Sequence, residues 1–334
     1  MENRSLGRSG LKVTNLGLGT MTFGNQADKK TSFEIMDKAF DAGITFIDTA
    51  DMYPLGGEWS QLGATEEIVG GWLQGKRDRV VLATKCFGAM GPGANDKGLS
   101  RKHIMSAVEE SLRRLQTDYI DLYQAHMFDP STPLEETLRA FDDLVTQGKV
   151  RYIGVSNWRA WQIAKANGIA EQKHYMKIES VQPRYNLLFR MIEEELLPMC
   201  SEEGIGVITY NPLAGGLLTG RYNWGDSPEA GSRFGLQGHN QAGSFYQERY
   251  WKEPYFAAVE TFQRWCLEHN YEMASAAVRW VIQQAGITSA IIGASRPDQL
   301  DASIRATEMD DFSADELKWL DQLWFSLPKR KEDR

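Results

Sequence analysis

The chain alternates short apolar runs with longer amphipathic segments along almost its whole length. Eight of the short runs are nearly continuous in apolar residues instead of alternating apolar with polar positions. This pattern is typical of parallel strands covered on both faces, because neither face meets water. We therefore predict strands at residues 16–20, 44–49, 80–85, 119–126, 150–156, 178–182, 206–211 and 289–294.

The segments between these strands carry helix signals. Thr31 and Glu34 have the spacing of a capping box, Ser100 is a suitable N-cap, and Pro133 is placed to be the first residue of a helix. A break is expected near Asn270. Further helices are predicted at 65–75, 158–168, 190–203, 255–286, 297–306 and 313–326.

Eight strand–helix units predict an α/β fold, the (β/α)8 TIM barrel, whose usual length is about 250 residues. The chain has 334 residues and is predicted to form one domain over 1–334. We assign the surplus to an N-terminal hairpin at 2–14, a long irregular loop at 221–254 after strand seven, and an extra C-terminal helix within 313–334. A Rossmann or flavodoxin-like sheet is the alternative, but the first turn lacks the glycine fingerprint.

Composition is that of a soluble globular protein, with 42% hydrophobic and 25% charged residues. A formal charge of −8 argues against a nucleic-acid partner. Cys86, Cys200 and Cys266 are widely spaced, which predicts reduced thiols and no structural metal site. The N-terminus has no apolar signal region and no run is long enough to span a membrane, so we expect a cytoplasmic protein without a membrane partner.

Four polar side chains follow different predicted strands: Asp48, Tyr53, Lys85 and His126. On a (β/α)8 barrel the C-terminal ends of the strands meet at the face that carries active sites. Tyrosine has a pKa of about 10, so as a proton donor it benefits from an ammonium that stabilises its phenolate. A carboxylate must keep that ammonium charged, and a nearby histidine can donate a hydrogen bond to a developing alkoxide. These residues predict general acid catalysis.

No side chain supplies hydride, so this chemistry implies a nicotinamide cofactor. Polar groups at the ends of strands five and six, Ser156, Asn157 and Gln182, suit its carboxamide, and Tyr210 could stack on the ring. The loops after strands seven and eight are the usual phosphate site of such barrels, and here they span 211–216 and 293–296.

Seven further segments have a characteristic order and spacing: LGLGTMTFG (16–24), FIDTADMY (46–53), TK (84–85), SLRRLQTDYIDLYQAH (111–126), GKVRYIGVSN (148–157), TYNPLAGGLLTGRY (209–222) and IIGASRPDQL (291–300). In these segments the sequence resembles the aldo-keto reductases, and the match runs from residue 4 to about residue 305. The resemblance implies an NADPH-dependent carbonyl reductase (an alcohol:NADP+ oxidoreductase) on a (β/α)8 barrel. Tyr53 would be the acid, Lys85 and Asp48 its tuning pair, and His126 the group that orients the substrate.

The resemblance also implies a set of NADPH contacts, in which Arg296 pairs with the 2′-phosphate. Two features depart from the family: Ser303 replaces the usual adenine-binding asparagine, and the segment 54–65, which contains Trp59, is long. The implied cofactor residues are Thr20, Met21, Asp48, Ser156, Asn157, Gln182, Tyr210, Asn211, Pro212, Leu213, Gly215, Arg221, Arg233, Gly293, Ser295, Arg296 and Gln299.

Two other functions stay open. One is an NADPH-binding regulatory or redox-sensing subunit, similar to the voltage-gated potassium channel β subunits, although the absence of a long N-terminal extension favours an enzyme. The other is a barrel aldolase that uses Lys85 as a Schiff-base nucleophile, which pairing with a carboxylate would disfavour. We expect a small-molecule carbonyl substrate, with aryl aldehydes, methylglyoxal-like compounds and keto-sugars unranked and the oligomeric state open.

Overall fold

Eight parallel strands close into a barrel in the computed structural model, which describes residues 1–236 and 242–328. A short antiparallel hairpin, β1 (Asn3–Ser5) and β2 (Lys12–Thr14), precedes it. The predicted barrel and N-terminal hairpin are thereby confirmed. The barrel strands are β3 (Leu16–Gly19), β4 (Phe46–Asp48), β5 (Val81–Cys86), β6 (Ile120–Ala125), β7 (Val150–Ser156), β8 (Ser180–Gln182), β9 (Gly206–Tyr210) and β10 (Ile287–Gly293), and β10 pairs with β3 to close the ring.

The parallel register brings the polar strand ends to one rim. Asp48 of β4 lies beside Gly19 of β3, and Lys85 of β5 lies beside Gln124 of β6. At the opposite end, the hairpin residue Leu6 is fully buried against the interior of the barrel. The hairpin thus covers the N-terminal end of the barrel, so the C-terminal rim is the end open to ligands.

Helices surround the barrel and cover the outer faces of its strands. Their buried apolar side chains form one large core with the strands, as expected for helices packed on a parallel sheet. The helices are α1 (Lys29–Asp41), α2 (Ala64–Trp72), α3 (Arg101–Leu115), α4 (Leu134–Thr146), α5 (Ala160–Lys173), α6 (Leu196–Glu203), α7 (Ala242–Tyr250), α8 (Glu253–Glu268), α9 (Met273–Gln283), α10 (Leu300–Arg305) and α11 (Ala314–Phe325). Short 3-10 helices lie at Trp59–Gln61, Arg77–Arg79, Met191–Glu193, Ala214–Thr219 and Pro297–Gln299.

Two of the helix starts differ from those that the sequence predicts. The N-cap of α1 is Asp28, whose side chain accepts a hydrogen bond from the backbone N–H of Thr31, so the predicted capping box at Thr31 is wrong. Pro133 is the N-cap of α4 and not its first residue. Ser100 caps α3 as predicted, and α8 and α9 are separated at Asn270, which has a positive φ of 58°.

The segment 221–254 is more regular than the sequence indicates. It contains α7, although residues 237–241 lie outside the described part of the chain. Its aromatic rings pack on one another: the ring of Phe234 lies 5.2 Å from that of Tyr222 and 4.8 Å from that of Trp251, centre to centre. The prediction of a wholly irregular loop is therefore wrong. Across 1–236 and 242–328, no helix has both the length and the apolar character needed to cross a bilayer.

Candidate active site

A cavity of about 980 Å³ opens at the C-terminal rim of the barrel, where the loops after the strands meet. Every predicted site residue lines it except Lys85, which is fully buried beneath the cavity floor. Ser303 and Trp59 do not line the cavity; Ser303 is buried and Trp59 is exposed on the surface. The structure thus gathers into one site residues that are spread over more than two hundred positions of the chain.

The floor of the cavity contains a buried ion pair. The ammonium Nζ of Lys85 lies 2.6 Å from Oδ2 of Asp48, and it also donates to the backbone carbonyl of Thr49 at 2.8 Å. The other carboxylate oxygen of Asp48 accepts hydrogen bonds from Gln182 at 2.8 Å and from Gln124 at 3.3 Å. Charges this deeply buried persist only when they are paired and hydrogen-bonded, and both conditions are met here.

Tyr53 stands above this pair. The Lys85 ammonium lies 5.5 Å from the centre of the Tyr53 ring. Burial raises the pKa of the Tyr53 hydroxyl well above its usual value, and the negative charge of Asp48 raises it further. The role of Lys85 in stabilising the Tyr53 phenolate stays a prediction, and Asp48 holds the Lys85 ammonium in place. Tyr53 is a neutral phenol that keeps its proton at ordinary pH.

His126 forms the opposite wall. Its ring meets the Tyr53 ring edge-on, with 5.8 Å between the ring centres. Burial, followed by the charge of Lys85, lowers the pKa of His126 from 6.5 to about 3, so the imidazole is neutral. Its Nδ1 is buried and has no hydrogen-bond partner among the described residues. A neutral imidazole carries one N–H, which can donate to an oxygen in the cavity.

A hydrogen-bonded network fixes the polar groups after strands β7, β8 and β9. Ser156 Oγ donates to the backbone carbonyl of Gln182 at 2.8 Å, and Asn157 Nδ2 donates to Ser156 Oγ at 2.9 Å. The hydroxyl of Tyr210 donates to Asn157 Oδ1 at 2.9 Å. The ring of Tyr210 is thus tethered at its tip, which makes it a fixed surface for a planar group.

The loop after β9 has a backbone suited to an anion. Asn211 has a positive φ of 66°, and its Oδ1 accepts the backbone N–H of Gly215 at 2.6 Å. Gly215 also has a positive φ, 73°, and a Cβ there would meet the Tyr246 ring at 3.0 Å. Arg233 lies over that ring at 5.4 Å from its centre, and its Nη1 is buried without a hydrogen-bond partner in the described ranges. A buried guanidinium nitrogen without a partner beside this turn fits a bound phosphate.

The loop after β10 lies at the far end of the cavity. The side-chain oxygen of Gln299 accepts the backbone N–H of Ser295 at 2.8 Å, which closes the turn. Arg296 is largely exposed and donates two long hydrogen bonds to Asp298, through Nε at 3.2 Å and through Nη2 at 3.5 Å. Its guanidinium is therefore free to turn toward a bound anion. Arg221 also lines the cavity, and its guanidinium lies 4.5 Å from the centre of the Tyr222 ring.

Several cavity residues were not anticipated from the sequence. Met52, Leu55, Phe87 and Met127 give the cavity an apolar lining near Tyr53, and Phe245 of α7 lines it as well. Position along the chain could have indicated the first four, because they come from the loops that follow β4, β5 and β6. No such signal marks Phe245, which reaches the cavity only because α7 folds over it.

Behind the floor lies a second buried carboxyl group, Asp51. Both of its oxygens are buried and have no hydrogen-bond partner among the described residues. Burial raises the pKa of Asp51 well above its usual value, and the neighbouring carboxylate of Glu66 adds to the rise. Glu66 itself holds the Arg114 guanidinium at 2.7 Å. Asp51 does not line the cavity, and in the described ranges no group of three or more metal-binding side chains is present.

Known proteins resemble the chain over most of its length. A family model described as "Aldo/keto reductase family" matches residues 15–324. The Bacillus subtilis protein named "Uncharacterized oxidoreductase YrpG" is 41% identical over 316 residues, 92% of each chain. The Arabidopsis thaliana protein named "Probable voltage-gated potassium channel subunit beta" is 37% identical over 341 aligned positions, 99% of each chain. The Bacillus subtilis protein named "Aldo-keto reductase YhdN" is 37% identical over 309 residues, 90% of this chain and 87% of the relative.

Proposed function

The chain belongs to the aldo/keto reductase family and is an oxidoreductase, and on that premise we propose that it reduces an aldehyde or ketone to an alcohol with NADPH. One observation carries the proposal. A neutral, buried tyrosine and a neutral histidine face the same cavity, above a buried ammonium–carboxylate pair. Such a site supplies a proton and hydrogen-bond donors to a carbonyl oxygen, and it needs hydride from a cofactor.

The residues fit a nicotinamide cofactor, which when bound supplies hydride to the carbonyl carbon. Ser156, Asn157 and Gln182 would hold its carboxamide, and the tethered ring of Tyr210 would lie against the nicotinamide. The positive-φ turn at 211–216 and Arg233, whose buried Nη1 has no hydrogen-bond partner among the described residues, would hold the pyrophosphate. The cavity extends from Tyr53 past these groups to Arg296, which suits a long dinucleotide.

Tyr53 is the proposed general acid. Its raised pKa keeps the proton on the hydroxyl until negative charge develops on the substrate oxygen, and proton transfer then forms the alcohol. The Lys85 ammonium stabilises the phenolate left behind, since it lies close to the ring and is kept charged by Asp48. The neutral imidazole of His126 donates its N–H to the same oxygen and so orients the carbonyl.

The preference for NADPH rests on Arg296. Arg296 lies in the loop after β10, where it lines the cavity. A guanidinium pairs bidentately with phosphate. The apolar wall of Met52, Leu55, Phe87 and Met127 would receive the carbon skeleton of the substrate, a small-molecule carbonyl compound. A cytoplasmic location is part of the proposal, supported by three buried free cysteines.

A second candidate function is a cofactor-binding regulatory subunit. The observation that favours it is the 37% identity, across nearly the whole chain, to a protein named as a probable potassium channel β subunit. Such a protein would bind NADPH in the same cavity without sustained turnover. The aldolase alternative has less support, because Lys85 is fully buried, does not line the cavity and is engaged by Asp48.

The test is turnover with a carbonyl panel. The purified chain is mixed with NADPH or NADH and a set of aldehydes and ketones, and the loss of reduced-nicotinamide absorbance is followed. We expect sustained consumption of NADPH with at least one class of carbonyl. Tight binding of NADPH without consumption in any mixture would favour the regulatory function, and the absence of binding would contradict both.

A further inference from the structure

The far end of the cavity is bounded by an ion pair that the sequence did not indicate. Arg305, the last residue of α10, donates to Glu272, the N-cap of α9, through Nη2 at 2.8 and 2.9 Å and through Nε at 3.1 Å. Both side chains line the cavity and are about half exposed. Glu272 also accepts from Ser275 Oγ at 2.6 Å, which fixes the carboxylate and with it the plane of the guanidinium.

The residues around this pair are small. Ala274 and Ala302 line the same end of the cavity and offer no side-chain hydrogen-bonding group. Ser303, at the position where the family usually has an adenine-binding asparagine, is 2% exposed and lies outside the cavity lining. Ser303 is therefore not placed to contact a ligand in the cavity, whereas Arg305, Ala274 and Ala302 line it.

We propose that Arg305, held in plane by Glu272, is the surface on which the adenine ring of the nicotinamide cofactor stacks. The proposal rests on the proposed function, since it assigns a residue to the cofactor named there. A planar guanidinium stacks well on an aromatic ring, and the two alanines leave room for one.

The Glu272 carboxylate favours a neutral base over a phosphate as the ligand of Arg305. It neutralises the guanidinium and would repel a phosphate placed against the same edge, while a neutral base is unaffected. Arg296 differs, because its hydrogen bonds to Asp298, at 3.2 and 3.5 Å, are longer than those of Arg305 to Glu272. Its side chain is also more exposed, so it can turn toward a phosphate. The two arginines thus contact different parts of the cofactor: Arg305 contacts the adenine base and Arg296 contacts the 2′-phosphate.

Cofactor binding to four variants tests the assignment, with dissociation constants measured by calorimetry for NADPH, NADH and 5′-AMP. Arg305→Ala removes the platform, Arg305→Lys keeps the charge without the plane, and Glu272→Gln loosens the anchor. Lys38→Ala is the matched control, because Lys38 pairs with Asp301 of the same helix α10 at 2.5 Å outside the cavity. Half-exposed pairs contribute little to stability, so all four variants should fold, which thermal unfolding verifies.

We expect Arg305→Ala to raise the dissociation constants of all three ligands by a similar factor, about fivefold to thirtyfold. Arg305→Lys should show most of that loss, Glu272→Gln a smaller one and Lys38→Ala none. A loss confined to NADPH would make Arg305 a phosphate contact and overturn the proposal. Unchanged binding of all three ligands would also overturn the proposal, and the ion pair would then only connect two helices. If the unaltered protein binds none of the ligands, the proposed function itself fails, and this inference fails with it.

Discussion

The buried pair of Lys85 and Asp48 makes a sharp prediction about stability. Asp48→Asn leaves the ammonium, which is fully buried, without its carboxylate. Removing one partner of a buried ion pair costs about 3–5 kcal/mol. The lysine can avoid this penalty by losing its proton. That deprotonation costs about 1.4 kcal/mol for each unit by which the pH lies below the ordinary lysine pKa of about 10.4. The destabilisation should therefore be about 4 kcal/mol at pH 7.5 and fall to about 1–1.5 kcal/mol at pH 9.5.

The sign of this pH dependence follows from proton linkage. In the variant, the folded protein binds fewer protons at position 85 than the unfolded chain does below about pH 10.4, so stability rises with pH. The double variant Asp48→Asn with Lys85→Met removes both charges together. It should be less destabilised than the sum of its single variants by at least about 2 kcal/mol, since neither charge is left alone.

Guanidinium unfolding at both pH values measures these free energies, with the fluorescence of the ten tryptophans as the signal. Asp121→Asn is the control: Asp121 pairs with Arg77 at 2.8 Å, but both side chains keep some exposure. Its loss should be smaller and nearly independent of pH. Additive single variants, or an Asp48→Asn penalty that does not shrink at high pH, would refute the description of this pair as a coupled buried unit.

Three further predictions concern the cavity and its surroundings. Because the pKa of His126 is lowered to about 3 and that of Tyr53 is raised, kcat for reduction should be nearly flat between about pH 5 and 9; a transition near pH 6.5 would mean that His126 titrates. The same lowered histidine pKa should make the free energy of unfolding fall as pH drops from about 6.5 toward 3, because the unfolded chain binds the extra proton. A His126→Gln variant should show a shallower slope, with the remainder due in part to the lowered pKa of His103, and an unchanged slope would contradict the prediction. Arg296→Ala should weaken NADPH binding about tenfold and leave NADH binding unchanged, since only NADPH has the 2′-phosphate; equal losses for both cofactors would argue against that contact.

The barrel could be predicted because its signal is local. Each strand is a short apolar run, and the polar residues at the ends of these runs meet at one rim by the geometry of parallel strands. The predicted residues Asp48, Tyr53 and His126 therefore line one cavity, with Lys85 directly beneath it. The start of α1 was placed wrongly because Thr31 and Asp28 are both good capping residues, and only the fold selects between them.

Other features depend on contacts between distant parts of the chain. Gln124 sits inside an apolar strand, and nothing local shows that its amide reaches the Asp48 carboxylate. Helix α7 has little amphipathic pattern of its own, and its aromatic residues Tyr246 and Tyr250 pack on Phe234 and Tyr255. Burial raises the pKa of Tyr53 and the charge of Asp48 raises it further, and no local sequence pattern shows how deeply the hydroxyl is buried. The pairing of Glu272 with Arg305 joins two helices across 33 positions.

The proton donated by Tyr53 is the central claim, and single-turnover hydride transfer in Tyr53→Phe tests it most directly. NADPH-loaded protein is mixed rapidly with the best carbonyl from the panel, and NADPH affinity is measured in parallel. Tyr152→Phe is the control, since Tyr152 lies in strand β7 and does not line the cavity. We expect Tyr53→Phe to slow hydride transfer about 10²–10⁴-fold with unchanged NADPH affinity, and Tyr152→Phe to behave as the unaltered protein. A Tyr53→Phe variant that transfers hydride at the original rate would contradict the assignment of this tyrosine as the general acid.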